Sequence, residues 1–474
     1  MKLMTTREEQ MMRACTSILI GKDASADGSV IIGRNEDSKP AWPKHFQQMP
    51  APAPYTFTSK DTGFTLDIPE TGVRYTATPE WTDEYGVFAE DGINGYGVAM
   101  SATESAYANP RVLAYDPLNP KGIGEEAMVT VVLPYIHSAR EGVARLGQIV
   151  AEYGTSESNG ILFADQQEAW YMETGSGHQW VAARIPDDNY AVIANELTIE
   201  EIDFEDTDNF MFNPTIAEFA ESHHLWTRDT PFVFREIFGT NDESDAIYNW
   251  PRVVAGQQMF SPNTTFYEFG ETDLPWLQHP DKPIQIDDAM RFLSNHFEQT
   301  PFDPAANGPQ AHKYRPISLA NTQESHLLQL RPQVDNSIAG IHWLAMGVAA
   351  ESIYVPFYAG MTDSPEDYHH GALPYSSDSA YWRYKLLGTL ADRHFGLAKK
   401  SLKVLQDDTF AKHLRLIAQT DKQLATAADP RQLVTEASHQ AAAIAREATD
   451  KLIAQMITDA TKESPLRFQV DPNL

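Results

Sequence analysis

The chain contains a single cysteine, Cys15, and few other groups arranged for covalent or metal chemistry. It has no Gly-x-x-x-x-Gly-Lys-Ser/Thr loop, no His-Glu-x-x-His helix and no Cys-x-x-Cys pair, so phosphate cradling and the usual zinc sites lack a signature. Gly122-Ile123-Gly124-Glu125-Glu126-Ala127 has the outline of a dinucleotide loop. It sets two carboxylates where a pyrophosphate would lie, and reads as a helix start. The pairs His223-His224 and His369-His370 are sequence neighbours, which seldom converge on one ion, and read as surface or hydrogen-bonding groups. Neither a metal nor an organic cofactor is expected.

An isolated cysteine is as a rule a small packed thiol. Cys15, however, follows a polar stretch of 14 residues and opens an apolar run, Cys15-Thr16-Ser17-Ile18-Leu19-Ile20-Gly21. A second β-branched run, Ser29-Val30-Ile31-Ile32-Gly33-Arg34-Asn35, follows a turn-rich segment from Lys22 to Gly28, which predicts a hairpin. With the loop centred near Ser25, paired residues sum to about 50, so Cys15 faces the neighbourhood of Asn35 and pairing brings Arg34 and Asp37 beside it. A cation beside a thiol favours thiolate, and a carboxylate orients an ammonium or its conjugate amine. A base is still missing: a free thiol of pKa ~8.5 is mostly protonated at neutral pH, and no histidine is tied to this hairpin. Cleavage between Ala14 and Cys15 would supply one, an α-amine of pKa ~7.7–8.0 on the nucleophile's own residue.

The elements that must hold this hairpin follow from periodicity. Strands are predicted at Tyr85–Ala89 and Val98–Ser101, joined by Asp91-Gly92 and Asn94-Gly95 turns. A four-stranded meander is predicted over Gly160–Ala164, Glu168–Thr174, Gln179–Arg184 and Tyr190–Asn195. Ser138-Ala139-Arg140-Glu141 has the form of a capping box before a helix that stops at Gly154. Pro40 to Pro54 reads as an extended loop, and from about Ser379 helical segments run to about Thr461, restarting at Asp429-Pro430. Antiparallel sheets with helices on their outer faces predict an α+β layered body. The expected division is a leader over 1–14, a catalytic body over 15–378 and a helical extension over 379–474.

The chain has 474 residues, 42% of them hydrophobic and 22% charged, a globular composition long enough for a large core. Its formal net charge of −30 would repel phosphate backbones and anionic head groups, so neither nucleic acid nor a membrane is an expected partner. One cysteine allows no intrachain disulfide, and no apolar run reaches the ~18 residues of a membrane helix, which points to the cytoplasm. Self-association, a homo-oligomer, would be expected through the C-terminal helices.

Taken together, Cys15-Thr16-Ser17-Ile18-Leu19-Ile20-Gly21-Lys22, Gly33-Arg34-Asn35-Glu36-Asp37, Gly92 to Glu104 and Glu168-Ala169-Trp170-Tyr171 resemble the lactic-bacterial dipeptidases of peptidase family C69. Gly175-Ser176-Gly177-His178, Ile193-Ala194-Asn195-Glu196 and Tyr354-Val355-Pro356-Phe357-Tyr358-Ala359-Gly360 are similar to the same family. The resemblance implies an N-terminal-nucleophile hydrolase with a four-layer αββα sandwich of two antiparallel sheets, acting on dipeptides without a metal or organic cofactor. It implies Cys15 as nucleophile and, once freed, base, with Arg34 and Asp37 flanking it. Asn195 would supply an oxyanion donor rather than serve as a turn asparagine, and Arg252 would be a site arginine or an exposed ion-pair partner. Glu104 or Asn94 would hold the substrate's ammonium or amide.

Residues 1–14 depart from family members that begin almost at the cysteine. Ordinary methionine removal cannot expose Cys15, since Met12 is followed by Arg13 and Ala14, so self-cleavage is expected. Two rival readings stand beside this one. The first is an amidase acting on acylated amino compounds such as penicillin V or conjugated bile salts, with the same residues and a more apolar pocket. The second is a non-catalytic acidic binding protein with a packed Cys15 and C-terminal helices that dock a partner.

Overall fold

The computed structural model describes residues 15–463 except 241, 307, 393 and 394 and the side chains of 395–397, so the expected leader lies outside the described residues. Strands are numbered here in chain order. The β-branched runs Thr16–Ile20 (β1) and Val30–Asp37 (β2) pair antiparallel as the hairpin predicted from sequence. Every residue of both strands is buried, which places the hairpin in the middle of a sandwich. It is joined by Tyr190–Ile193 (β12), Leu277–Gln278 (β14), Thr322–Leu330 (β15), Gly340–Met346 (β16) and Val355–Tyr358 (β17) in the order β14-β12-β1-β2-β15-β16-β17. All neighbours in this sheet are antiparallel.

A second sheet lies against it: Asp91–Ile93 (β7), Ala99–Ser105 (β8), Asn159–Ala164 (β9), Ala169–Thr174 (β10), Trp180–Ile185 (β11) and Phe210–Phe212 (β13), in the order β13-β11-β10-β9-β8-β7. Gln47–Met49 (β3) pairs with Tyr75–Ala77 (β6) in a small two-stranded sheet, and Tyr55–Thr58 (β4) with Thr65–Ile68 (β5) forms a hairpin between them in the chain. The first of these lies partly within the stretch expected as a Pro-rich loop.

Strand alternation divides the side chains between two cores. Leu19, Val30 and Ile32 point between the sheets, meeting Leu162, Tyr171 and Val181. Ile18, Ile20 and Ile31 point outward to helices that cover the first sheet. Those helices are Trp250–Phe260 (α3), Ile286–Leu293 (α4), Ala380–Asp392 (α5), Phe395–Leu424 (α6) and Pro430–Glu463 (α7). Val434 and Ala437 of α7 share the core of Ile18 and Ile20, so the C-terminal helices form part of the outer layer. Glu125–Val132 (α1) and Ala139–Tyr153 (α2) cover the second sheet, with Val143, Leu146 and Val150 against Phe163, Trp170 and Met172. The result is a four-layer αββα sandwich.

The end signals of α2 work as the sequence indicated. Ser138 accepts from the Glu141 N–H at 3.1 Å, and Gly154 stops the helix at φ +77°. The Glu141 carboxylate reaches back to the N–H of His137 at 2.7 Å, one residue before the cap. The motif at Gly124 opens α1 as expected, with Glu125 and Glu126 in its first turn.

Two expectations need correction. Tyr85–Ala89 is irregular, and the strand begins instead at Asp91, whose dipeptide with Gly92 looked like a turn. Glu90 and Asp91 are both buried and held by internal cations, which a local pattern does not reveal. The meander is also one strand shorter than expected: β9, β10 and β11 are neighbours, but β12 crosses to the other sheet and pairs with β1.

The seam between β2 and β15 is tight at Gly33. A Cβ at Gly33 would stand 2.5 Å from the His326 carbonyl and collide with Leu327 Cδ2. Gly33→Ala is therefore expected to destabilise the fold by about 1–3 kcal/mol, the usual cost of overpacking, read as a lower urea midpoint at unchanged slope.

Candidate active site

Cys15 stands just ahead of β1 and is buried at 3% exposure. The register Thr16↔Asn35 and Ser17↔Arg34 sums to 51, so continuing it sets Cys15 across from Glu36. This differs by one residue from the sequence expectation, and in a strand one residue exchanges the two faces. Arg34 and Glu36 therefore share the face of the sulfur, whereas Asp37 points to the other side.

Arg34 donates from Nη1 to Cys15 Sγ at 3.1 Å, and Glu36 Oε2 lies 3.7 Å from the same sulfur. The fully buried guanidinium also reaches Glu36 Oε2, Ser101 Oγ (3.0 Å), the carbonyls of Thr103 (2.9 Å) and Ala102 (2.9 Å), and Glu90 Oε2 (3.0 Å). Lys44 Nζ holds the other oxygen of Glu90 at 2.5 Å. Burial pushes the Cys15 thiol well above its ordinary pKa, Glu36 adds to this, and Arg34 only opposes it. The cation beside the sulfur thus does not by itself yield a thiolate, because burial and the charge of Glu36 outweigh it. For Glu36 burial also acts upward, but Arg34 and Lys44 outweigh it and lower its pKa, keeping it ionised.

A second cluster closes the end of β12. Asn195 donates from Nδ2 to Glu104 Oε1 (2.9 Å) and to the Ser105 carbonyl (3.0 Å), while its Oδ1 accepts from Arg252 Nη2 at 2.8 Å. That last bond fixes which way the amide faces. Arg252 is fully buried, bonds the Cys15 carbonyl, and reaches Thr16 Oγ1 at 2.9 Å. Burial lowers it to about 10, with Arg315 alongside adding to the effect. Asp37 is held by Arg315 (2.6 Å) and by Thr322 Oγ1 (2.5 Å). Glu104, raised to about 7 by burial, accepts from Ser17 Oγ at 2.5 Å.

Behind Arg34 lies a buried relay between the sheets. Ser101 Oγ meets His326 Nε2 at 2.9 Å, and His326 Nδ1 meets Glu324 Oε1 and Asp91 Oδ2, each at 3.0 Å. Burial opposes the imidazolium, but Asp91 and Glu324 outweigh it and raise His326 to about 9. Two buried groups of potential metal ligands, Asp91/Glu324/His326 and Glu36/Glu90/Glu125, have ligand atoms within 4.8 Å of one another. Each already contains its counter-charge, His326 in the first and Arg34 with Lys44 beside the second, so neither donor set calls for an ion.

The structure thus brings Cys15, Arg34, Asn195, Arg252 and Glu104 into one connected network. Asp37 joins it through Arg315 and Thr16 instead of through the sulfur. Asn94 lies outside it: its amide donates to the Leu133 and Ile136 carbonyls and its Oδ1 accepts from the N–H groups of Tyr96 and Val98. These bonds build the turn between β7 and β8, which leaves the side chain nothing to offer a substrate. Glu104 is likewise fully buried beneath Asn195 rather than open to a ligand. Sequence reasoning did not single out Glu36, Arg315 or His326. The Glu36 signal was present in Gly33-Arg34-Asn35-Glu36-Asp37, and one step of register hid it.

A cleft opens over the sulfur, lined among others by Glu36, Asp37, Lys39, Tyr85, Ser105 and Glu125. An αββα sandwich with a cysteine at the head of its central hairpin has the architecture of the N-terminal-nucleophile hydrolases. The chain belongs to peptidase family C69, whose model matches residues 14–408. It is 43% identical to a probable dipeptidase of Latilactobacillus sakei, over 99% of this chain and 100% of that one. Identity is 37% to a probable dipeptidase B of Lactococcus lactis subsp. lactis, over 97% and 98% of the two chains. It is 36% to dipeptidase A of Lactobacillus helveticus, over 86% and 88%. Among solved structures it is similar to a penicillin V acylase from Agrobacterium tumefaciens at 14% identity and TM-score 0.33, covering 72% of this chain and 86% of that one. A conjugated bile acid hydrolase from Clostridium perfringens matches at 12% and 0.32, covering 70% and 89%.

The relay has a consequence for stability. An unfolded chain holds the His326 proton below its ordinary pKa of 6.5, and the folded chain holds it to about 9. Between these limits the native state binds the extra proton, so stability is full below the lower value and falls as pH rises through the upper one. His326→Gln is expected to flatten the decline in urea midpoint from pH 7 to 9.5, by at most about 1.4 kcal/mol per pH unit, the weight of one proton. An unaltered decline would show that His326 is not charged.

Proposed function

We propose that the protein is a cysteine dipeptidase in which Cys15, freed at its amino end by removal of residues 1–14, is both nucleophile and base. The observation that carries this reading is the Cys15 sulfur 3.1 Å from Arg34 at the head of the central hairpin, beneath a cleft lined largely by carboxylates. A buried thiol with a raised pKa needs a base in contact with it. Removal of residues 1–14 would place one, the α-amine, on the nucleophile's own residue.

In the first acyl transfer the thiol proton passes to the Cys15 α-amine while sulfur bonds to the dipeptide carbonyl carbon. The oxyanion takes a hydrogen bond from a backbone N–H and one from Asn195 Nδ2, which gives up its bond to Glu104 Oε1 or to the Ser105 carbonyl to make it. As the carbon–nitrogen bond breaks, the Cys15 ammonium protonates the departing amino acid. Water then gives a proton to the amine, attacks the thioester and releases the second amino acid, restoring the thiol. Arg252 contributes twice, by holding the Cys15 carbonyl and by orienting the Asn195 amide.

The carboxylate-rich cleft supports free dipeptides over the acylated amides of the rival amidase reading, whose acyl groups need an apolar wall. The reaction belongs in the cytoplasm on this reading, where a lone thiol stays reduced. Side-by-side assays on dipeptides, penicillin V and conjugated bile salts test the assignment, and preference for either amide would replace it.

Two substitutions test the roles. Cys15→Ala is expected to keep residues 1–14 attached, read as intact mass, and to abolish turnover; a shortened or active variant would refute the processing. Asn195→Ala is expected to lower kcat by about 10²–10³-fold with the fold retained. An unchanged kcat would remove Asn195 from the oxyanion site.

A further inference from the structure

We infer that Glu36 is the anchor for the substrate's free α-ammonium, and so the residue that restricts this site to unblocked amino ends. The inference rests on the dipeptidase reading above and adds a specificity determinant to it.

The argument is one of distance. For attack, the scissile carbonyl carbon must come to about 3 Å from the Cys15 sulfur. In a dipeptide the α-nitrogen of the first residue is bonded to the carbon next to that carbonyl, which fixes it about 2.5 Å from the reacting carbon. The ammonium therefore sits in a shell a few ångströms from the sulfur, whatever the side chain. Glu36 Oε2, 3.7 Å from Sγ, occupies that shell. The side chain also lines the cleft and keeps 5% exposure, so a ligand over the sulfur can touch it. Asp37, the neighbouring carboxylate, is committed to Arg315 and Thr322 on the other face of β2. Glu104 is fully buried under Ser17 and Asn195.

Charge and hydrogen-bonding capacity agree with this role. Arg34 contacts Glu36 directly, and Arg34 with Lys44 keeps it ionised despite burial. A carboxylate has about four acceptor positions. Arg34 and the thiol use two on Oε2 and Glu90 hydrogen-bonds the carboxylate as well, which leaves one, and the thiol's is released once its proton moves to the amine. An N-acyl or N-alkanoyl compound presents an apolar or amide group to the same carboxylate, leaving a desolvated charge without a new partner, a costly arrangement.

The test compares alanyl-alanine with its desamino counterpart, propionyl-alanine, which keeps the shape and lacks the ammonium. Each is measured as a substrate and, where turnover is too slow to follow, as a competing inhibitor. The wild-type enzyme is expected to favour the dipeptide in kcat/KM by about 10- to 100-fold or more, the range for a hydrogen bond to a charged group. In Glu36→Gln that preference should collapse, through KM for the dipeptide, and Glu36→Asp should restore part of it. Intact mass accompanies each variant, since Glu36 touches the sulfur; if Glu36→Gln stays uncut, the wild-type comparison and Glu36→Asp decide. Equal use of the two compounds by the wild type would overturn the anchor and leave the dipeptidase reading standing, as would a Glu36→Gln enzyme that loses kcat on both alike. Failure of the wild type on every dipeptide would remove the reading itself, and the anchor with it.

Discussion

A guanidinium without exposed surface sits between two β-sheets, and the active-site cluster is built around satisfying it. Burying such a charge costs several kcal/mol unless every N–H finds a well-placed acceptor. Arg34 finds them on both sheets: Glu36 and the Cys15 sulfur on its own, Ser101, Ala102 and Thr103 on β8, and Glu90 just before β7. The contact therefore sets the spacing of the sandwich at the point where the sulfur lies. His326, from the first sheet, reaches the same Ser101 and pairs with Asp91 of the second, so two buried cations bridge one gap. A net charge of −30 shows nothing of this arrangement, because the groups that matter are paired inside.

On the proposed mechanism, the same contact explains why the cysteine would need help to react. A lone cation against a thiol would favour thiolate, but Arg34 is shared among carboxylates, and burial together with Glu36 drives the thiol the other way. The pocket holds the sulfur protonated and fixed in place, which suits a nucleophile activated by a base on its own residue. Arg252 completes the alignment from the backbone side, tying the Cys15 carbonyl to the Asn195 amide through one planar fork.

Much of this was legible in the chain. The β1–β2 hairpin followed from β-branched runs around a turn-rich segment, and α2 from its cap and its glycine stop, because those signals are local. What escaped was nonlocal. Pro186-Asp187-Asp188 looked like an ordinary hairpin turn, yet the Asp187 carbonyl accepts from the N–H groups of Asp23 and Ala24, and Gly21 donates to Asn189. Those bonds dock the turn onto the β1–β2 loop and lead β12 along β1, carrying Asn195 to the cysteine. Asp91 looked like a turn residue because acids favour turns, and only its buried partners mark it as a strand residue.

The register error carries a more general point about carboxylates in neighbouring positions. Glu36 and Asp37 are adjacent and both acidic, so composition and motif spacing treat them alike. In a strand they face opposite layers: Glu36 joins the sulfur between the sheets, and Asp37 joins Arg315 beneath the outer helices. The two carboxylates therefore do different physical work. Both border the cleft, but Glu36 stands beside the sulfur, whereas Asp37 pins β2 to the loop that carries Arg315 and to Thr322 at the start of β15. Chemistry at this site is set by strand parity, which a single unresolved step of pairing is enough to invert.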